Sequence, residues 1–526
     1  MMIRPYLSTP ALLCSFLLGS VLLAGPVRAD DDATRLYLDN CAACHGGDRL
    51  GAIGPALVPE NLGRMKPAEA AQVIAKGRSQ TQMPAFGDKL SADQINALAT
   101  YVLGPLPAIP DWGMDQIKAS QVVYADPSKL PEKPVHGSDV SNLFTVVEAG
   151  DHHVTILDGD SFTPIARFQS RYALHGGAKY SSDGRFVYLA SRDGWVSKYD
   201  LYSLQMVAEV RAGINTRNIA VSDDGKWVAV GNVLPHTLTI LDATDLSPVK
   251  VIPVADAKGT SSRVSAVYTT PPRHSFIVAL KDVKEIWEIP YGDNREMVCK
   301  GFVHSYEKGM IEGLCDKGPF PVRVIETEDV LDDFFFDPGY QNVMAAARDG
   351  QPGEVVSLVV GRKIANLDLS GMPHLGSGIV FQKDGHWMMA TPHLKEGKVS
   401  VIDMTTWKTV KVIDTLGPGF FMRGHETTPY AWVDNAFSPA KDKVQIIDLR
   451  SLEIVKTLQP APGKTTAHVE FTKDGRYALL SVMEMDGEII VYDAKTFEEV
   501  KRVPMVKPNG KYNVFNKISY SSGTSH

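Results

Sequence analysis

The sequence lacks two features that would each define a class of protein. Its net charge is −7, so it has no excess of positive charge, which excludes a general basic surface for nucleic acid. It has one long apolar run, residues 11–24, which is shorter than the roughly 20 residues that a membrane-spanning helix needs. No later segment could cross a bilayer, so the sequence predicts neither a nucleic-acid-binding protein nor a membrane-spanning one.

The apolar run instead has the features of an export signal. Arg4 supplies a positive start, and the small-residue sequence Val27-Arg28-Ala29 follows the run. This pattern predicts a signal peptide over residues 1–29, cleaved after Ala29, and a periplasmic mature protein. The alternative interpretation is a membrane anchor.

Cysteine is scarce, with five residues in the whole chain. Cys14 leaves with the predicted signal, and two others belong to a motif described below. Cys299 and Cys315 remain, in a compartment that favours oxidation. They form either a disulfide or two free buried thiols, since spacing alone does not define their geometry.

Residues 30–106 carry a helical pattern. Ser91 and Gln94 have the spacing of a capping box, and apolar residues follow at helical spacing on one face: Ile95, Leu98, Ala99 and Val102. Prolines from Pro105 onward end this pattern. The sequence therefore predicts a small all-α domain over 30–106 and a proline-rich linker over 107–139.

The motif CAACH at 41–45 predicts one covalently bound haem c. Cys41 and Cys44 can form thioethers to the two haem vinyl groups, and the adjacent His45 can bind the iron. A redox or zinc Cys-x-x-Cys site is the alternative, but neither requires the adjacent histidine. Met83, between two predicted helices, is the expected sixth ligand, and Met65 is the alternative.

From about residue 140 the pattern becomes repetitive. Turns such as Ser-Asp-Gly precede short β-rich runs, each followed by a second strand that ends at an aspartate. Several of these aspartates lie about 42 to 45 residues apart: Asp158, Asp200, Asp242, Asp403, Asp448 and Asp493. This period is typical of β-propeller blades. Eight units, starting near 142, 186, 227, 276, 342, 386, 430 and 476, predict an eight-bladed propeller over 140–526. Seven blades are the alternative, and residues 290–335 are expected to be an insertion.

Several motifs together resemble the cytochrome cd1 nitrite reductases and their relatives, which join a cytochrome c domain to an eight-bladed propeller that binds haem d1. The motifs are CAACHG, QMPAFG and PDWGM in the first part of the chain, and NLFTVV, ILDGDS, YALHGGAKYSSDGR, MPHLGSG, TPHL and GKYNVFNK in the propeller. The resemblance covers essentially the whole mature chain. It implies a second, non-covalent cofactor or substrate in the propeller, haem d1 or dihydro-haem d1.

The resemblance also implies ligands. His175 corresponds to the proximal ligand of the d1 iron, and His374 corresponds to a histidine on the distal face. The nitrite reductases have a second distal histidine, but here His274 lies closer to the following strand than the pattern requires, and prolines occupy the approximate ligand position. This departure argues against nitrite reduction.

The chain therefore resembles the biosynthetic branch, the dihydro-haem d1 dehydrogenases, which oxidise a propionate side chain of the haem d1 precursor to acrylate. The segment 417–432 and the C-terminal GTSH support this branch. Removing a carbon-bound proton requires a base, for which His425 is the first candidate and His374 the second. Arginines are expected to bind the substrate carboxylates, and the candidates are Arg171, Arg192, Arg217 and Arg423.

The expected partners are dihydro-haem d1, an external electron acceptor, other haem d1 biosynthesis proteins and a nitrite reductase that receives the product. Three alternatives remain for the function: a nitrite reductase that forms nitric oxide, a non-catalytic haem d1 carrier, and an interaction propeller fused to a cytochrome.

Overall fold

The computed structural model describes residues 29–52, 54–62, 65–77, 83–108, 110–292, 298–300, 314–316, 318–347, 353–369 and 371–519. The predicted signal segment, apart from Ala29, lies outside these residues. No helix in the described ranges is long and apolar enough to cross a membrane.

The N-terminal part is helical, as predicted. Its helices are α1 (Ala29–Asn40), α2 (Ala42–His45), α3 (Pro59–Leu62), α4 (Pro67–Lys76) and α5 (Ala92–Leu103). The predicted capping box begins α5, because Ser91 Oγ accepts from the Gln94 N–H and Gln94 Oε1 accepts from the Ser91 N–H. The predicted apolar face of α5 is buried against α1 and α4.

The rest of the described chain forms eight antiparallel sheets around one ring, seven with four strands and one, blade 2, with a fifth strand added by the linker; this confirms the eight-bladed propeller. The strands, given from the innermost outward, are as follows: blade 1, Pro508–Asn513, Leu143–Glu148, His153–Asp158 and Pro164–Gln169; blade 2, Lys179–Tyr180, Phe186–Ala190, Trp195–Asp200 and Gln205–Arg211; blade 3, Asn215–Val221, Trp227–Leu234, Thr237–Asp242 and Pro248–Pro253; blade 4, Val264–Thr270, Ser275–Leu280, Glu285–Pro290 and Arg323–Glu326; blade 5, Leu331–Phe336, Asn342–Ala347, Gly353–Ser357 and Arg362–Leu367; blade 6, Ile379–Lys383, His386–Pro392, Lys398–Asp403 and Lys408–Asp414; blade 7, Met422–Arg423, Tyr430–Asp434, Val444–Asp448 and Glu453–Leu458; blade 8, Thr466–Phe471, Tyr477–Val482, Gly487–Asp493 and Glu499–Met505.

Each predicted unit start falls on the second strand of a blade, not the first. Two innermost strands, Lys179–Tyr180 and Met422–Arg423, have only two residues each, and others such as Val264–Thr270 are buried on both faces, so the alternation that identifies a half-buried strand is weak in them. The two ends of the propeller meet in blade 1, where Pro508–Asn513 pairs with Leu143–Glu148. The core consists of apolar clusters between neighbouring blades.

The prediction that residues 290–335 form an insertion was too wide. The insertion contains a hairpin of Val298–Lys300 and Leu314–Asp316, but Arg323–Glu326 is the outer strand of blade 4 and Leu331 begins blade 5. The backbone register of the hairpin places Cys299 opposite Cys315, and whether they form a disulfide stays open.

The linker lies along the propeller surface. It contains helix α6 (Met114–Ser120), a 3-10 turn at Pro127–Lys129, and Val122–Val123, which pairs with the outer strand of blade 2. Three further 3-10 turns, Val140–Asn142, Pro271–Arg273 and Leu375–Ser377, lie beside blade strands, and helix α7 (Val514–Ser519) follows the last strand.

Candidate functional site

The CAACH motif folds into one helical turn. Cys41 is the N-cap of α2, and Cys44 and His45 lie within that helix. His45 is buried, and its Nδ1 donates to the Pro55 carbonyl at 2.8 Å. This bond fixes the ring orientation and leaves Nε2 as the ligand atom, since metal-binding histidines commonly use their second nitrogen in this way. Burial lowers the pKa of His45, which keeps the imidazole neutral.

The loop after α2 is built closely around the His45 ring. A Cβ on Gly54 would lie 2.8 Å from His45 Cε1, so only glycine fits at that position without displacement. Arg49 holds the same loop to α5, donating to the carbonyls of Leu57, Val102 and Gly104. Two half-buried thiols and a preoriented imidazole on one turn fit a covalent haem c.

The sixth ligand of this haem remains a prediction. Met83 is half-buried and packs against the core of the helical domain, but Met65 packs against the same core. The contacts therefore favour neither methionine.

In the propeller, His175 lies just before the first strand of blade 2. Its backbone N–H donates to the Ala190 carbonyl, and its Nδ1 donates to the Arg217 carbonyl at 2.7 Å. Nε2 therefore carries the lone pair, and it lies 2.8 Å from Arg192 Nη2 and 3.1 Å from Arg217 Nη1. The structure thus brings together three predicted site residues: a histidine oriented for metal binding and two arginines.

Arg171 forms an ion pair with an acidic residue of blade 2. Its guanidinium pairs with Glu209 at 2.5 Å and lies 3.7 Å from the ring centroid of Trp195. The hydrogen bonds and charge of Glu209 raise the pKa of Arg171 against the effect of burial, and a role for Arg171 in binding a ligand carboxylate would require it to leave Glu209.

His374 lies just before the first strand of blade 6. Its Nδ1 donates to the Phe420 carbonyl at 2.7 Å, and its ring is parallel to that of Phe420, with centroids 4.9 Å apart. Burial lowers the pKa of His374, and the positive charge of Arg217 contributes to this shift. His175 and His374 occupy equivalent places in blades 2 and 6, because each donates its backbone N–H to the end of the second strand of its blade, at Ala190 and Pro392.

His468 is a residue that the sequence reasoning missed. It lies in the innermost strand of blade 8, where the register is interrupted between Ala467 and Glu470. Its φ of 56° is in the left-handed region, which is uncommon for a residue other than glycine and is concentrated at functional sites. The available signal was a histidine within the apolar strand segment TAHVEF.

The surroundings of His468 connect it to His374. Phe421 lies between the two, with its ring centroid 4.4 Å from His468 and 6.2 Å from His374. Tyr512 lies 5.1 Å from the other side of the His468 ring. Burial, together with the charges of Lys511 and Arg423, lowers the pKa of His468 well below its usual value.

Asp434 anchors this pair of histidines. Its buried carboxylate accepts from the N–H groups of Phe420 at 2.7 Å and Phe421 at 3.0 Å, and weakly from His468 at 3.5 Å. Burial raises the pKa of Asp434 to about 6. One side chain therefore holds the segment on which His374 is stacked and the strand that carries His468.

Arg423 is in the innermost strand of blade 7 and pairs with buried Glu470 at 3.0 Å. Its charge also acts on Lys179, whose pKa burial lowers to about 8. The centre of the propeller is thus lined by charged groups that can hold a polyanionic ligand.

His425 lies beside the end of the innermost strand of blade 8, with its ring centroid 5.9 Å from that of Phe471. It is buried in the turn that follows the innermost strand of blade 7, with Nδ1 2.9 Å from Thr427 Oγ1 and against Gly475 of blade 8. His175 and His374 precede the innermost strands of their blades, whereas His425 follows one. His425 therefore lies at the other end of an innermost strand from the position that His175 and His374 occupy.

His274 also follows an innermost strand. It is largely exposed and its Nδ1 lies 2.9 Å from Asp223. It therefore does not join the region that His175 and His374 share.

A propeller with a central polar site and a cytochrome-like helical domain defines the class of protein. Residues 138–307 and 303–517 match the Cytochrome D1 heme domain family, and residues 28–102 match the family of the cbb3-type cytochrome c oxidase subunit III. The chain therefore belongs to the Cytochrome D1 heme domain family.

Two individual relatives and one solved structure are similar to this chain over more than nine-tenths of its length. The chain is 54% identical to the dihydro-heme d1 dehydrogenase of Pseudomonas aeruginosa, over 97% of this chain and 98% of that protein. It is 25% identical to a nitrite reductase of Stutzerimonas stutzeri, over 92% of each chain. A solved structure of dihydro-heme d1 dehydrogenase NirN in complex with DHE matches with a TM-score of 0.87 and 54% identity, over 93% of this chain and 100% of that one.

Proposed function

We propose that this protein is a dihydro-haem d1 dehydrogenase. It would bind dihydro-haem d1 in the propeller and oxidise one propionate side chain to acrylate. Two electrons and two protons leave the side chain in this reaction. The observation that carries the proposal is His175, whose Nδ1 is held by a backbone carbonyl while Nε2 faces two guanidinium groups.

His175 fits the role of ligand to the substrate iron, because neutral imidazole with one nitrogen tied to a carbonyl is a common metal ligand. Arg192 and Arg217 then become available for the substrate carboxylates, since each donates to His175 Nε2 in the structure. Guanidinium groups suit this role through paired hydrogen bonds to carboxylates.

The proton acceptor is proposed among two histidines near this site, the partly buried His374 and the buried His468. His374 and His468 are both kept neutral by burial, and a neutral imidazole is the form that takes a proton. His425 remains a hypothesis from the sequence, but its place beyond the innermost strand favours the other two. Phe421, between His374 and His468, would restrict the access of water to both.

The cytochrome domain would accept the electrons. Covalent haem c, when bound at Cys41, Cys44 and His45, supplies a one-electron acceptor. Two transfers complete each turnover, and an external acceptor must reoxidise the haem between them. We also propose a periplasmic location, in which the product passes to a nitrite reductase.

The test is anaerobic mixing of the haem c-loaded protein with dihydro-haem d1. The expected result is reduction of haem c, followed in its absorbance bands, together with conversion of the substrate to haem d1. Binding without reduction would favour a non-catalytic carrier. Absence of a bound macrocycle would favour an interaction propeller, and nitric oxide from nitrite would favour a nitrite reductase.

A further inference from the structure

The cytochrome domain lies at the same end of the propeller as His175. A buried apolar cluster joins the two domains, with Ala56 and Val58 on one side and Ile214 and Leu234 on the other. Asn215 also donates to Asn61 across the boundary. This contact is small, so polar contacts at its edge are expected to define the orientation of the domain.

Arg211, the last residue of the outer strand of blade 2, is the polar centre of this contact. Its side chain is buried, its Nε donates to the Asp193 carbonyl at 2.9 Å, and its Nη2 donates to the Leu50 carbonyl of the cytochrome domain. Its own carbonyl accepts from Trp112 Nε1 at 2.9 Å, and its N–H donates to Ser120 Oγ at 2.9 Å. Arg211 therefore forms hydrogen bonds to the propeller, to the linker and to the cytochrome domain.

The backbone conformation near Arg211 allows its side chain to form these hydrogen bonds. Gly194, which follows Asp193, has a φ of 92°, and a Cβ there would lie 1.8 Å from the Gly213 carbonyl oxygen. Only glycine allows this close approach of the turn to the segment after Arg211. The approach places the Asp193 carbonyl within reach of the guanidinium.

The same bonds form a continuous route between the two candidate haem sites. On the propeller side, Arg192, a candidate partner of the substrate carboxylates, is the chain neighbour of Asp193. On the cytochrome side, Gly51 follows Leu50, and its N–H donates to the His45 carbonyl at 2.8 Å. The route from Arg192 to His45 thus consists of covalent segments joined by three hydrogen bonds, two of them made by Arg211 and one from the Gly51 N–H to the His45 carbonyl.

We propose that Arg211 is a positioning residue that locks the cytochrome domain onto the propeller, so that electrons from the propeller site reach the c haem within one chain. This inference rests on the proposed function for its redox part, but its docking part stands without it. No additional oxidant is needed, because each electron lost by the substrate reduces haem c, which the external acceptor reoxidises.

The first measurement uses the full mature chain with haem c and without macrocycle. Hydrogen exchange is compared for the wild type, Arg211→Met and Arg211→Lys, with Arg450→Met as the control. Arg450 is exposed and pairs with Asp448 on blade 7. Loss of charge-assisted hydrogen bonds should raise exchange of the interface segment 49–58 about tenfold or more in Arg211→Met, with a smaller rise in Arg211→Lys and none in the control.

The second measurement is the rate of haem c reduction after mixing with dihydro-haem d1, compared with reduction by ascorbate. The rate with dihydro-haem d1 should fall about tenfold in Arg211→Met, because a smaller fraction of the molecules has the cytochrome domain docked on the propeller. The ascorbate rate should not change, because it bypasses the propeller. If Arg211→Met does not fold, as judged by circular dichroism, Arg211→Lys provides the comparison.

Unchanged exchange in both Arg211 variants would overturn the inference and leave the proposed function intact. Faster exchange with an unchanged substrate-driven rate would overturn the electron-transfer role. Failure of the wild type to reduce haem c with dihydro-haem d1 would instead contradict the proposed function.

Discussion

The two haem sites of this protein differ in how their residues are distributed along the chain. In the cytochrome domain, both cysteines and the histidine lie within five consecutive residues of one helical turn. In the propeller, His175, His374 and His468 come from blades 2, 6 and 8, and more than 290 residues separate the first from the last. A local site depends on one helix, whereas a distributed site depends on the closure of the whole propeller.

Substitutions at the local haem c site should have the largest effect, because all its attachment residues lie on one helical turn. Replacing Cys41 and Cys44 with alanine should abolish covalent haem attachment, because no thioether can form. Haem staining of the denatured protein measures this loss. The propeller should still bind dihydro-haem d1, and haem that remains attached after denaturation would contradict the assignment.

In the distributed site, replacement of the proton acceptor should lower the rate by about a hundred- to ten-thousand-fold. His468→Ala and His374→Ala are each compared with His425→Ala in single-turnover reduction of haem c, with substrate binding measured separately. We expect the loss in one or both of the first two variants, with binding retained. A large loss in His425→Ala alone would return the role of base to that residue.

Replacing His175 tests the separation of the two sites. His175→Ala should change the absorbance of the bound macrocycle and weaken its binding by about tenfold or more, because the ligand to iron is lost. The spectrum of haem c should remain that of the wild type. An unchanged macrocycle spectrum would contradict the role of His175 as a ligand.

The smallest expected effect is on the pH profile. An exposed histidine loses its proton-accepting form below about pH 6.5, but burial lowers the pKa of both His374 and His468. The neutral form therefore persists to lower pH, and the single-turnover rate should decline only below the ordinary histidine range. Circular dichroism over the same pH range checks folding, and a decline centred at or above pH 6.5 would argue against these bases.

The sequence alone predicted several features correctly because their signals are local or periodic. The capping box that begins α5 depends on two side chains three residues apart, and it formed as expected. The eight blades followed from a repeat of turns and aspartates. Each predicted unit began at the second strand of a blade and not at the first, because innermost strands such as Met422–Arg423 are too short to show alternation.

The candidate site was only partly predictable. The resemblance to a family identified His175 and His374, and the structure places them at equivalent positions in blades 2 and 6. His468 was missed because its environment depends on a register shift in blade 8 and on Phe421 from blade 7. His425 was favoured because of its neighbours in the sequence; it follows an innermost strand, whereas His175 precedes one, and its role stays a prediction.

By itself, the sequence determined the haem c attachment motif, the helical domain and the repeated sheet, because each depends on residues close together in the chain. The tertiary structure alone decided which distant side chains meet. Neutral histidines around Phe421 and the contact of Arg211 with Leu50 exist only after the propeller closes and the cytochrome domain docks. The physical reason is that burial and the charges of neighbouring groups, which define the chemistry of these residues, arise from contacts between blades and domains.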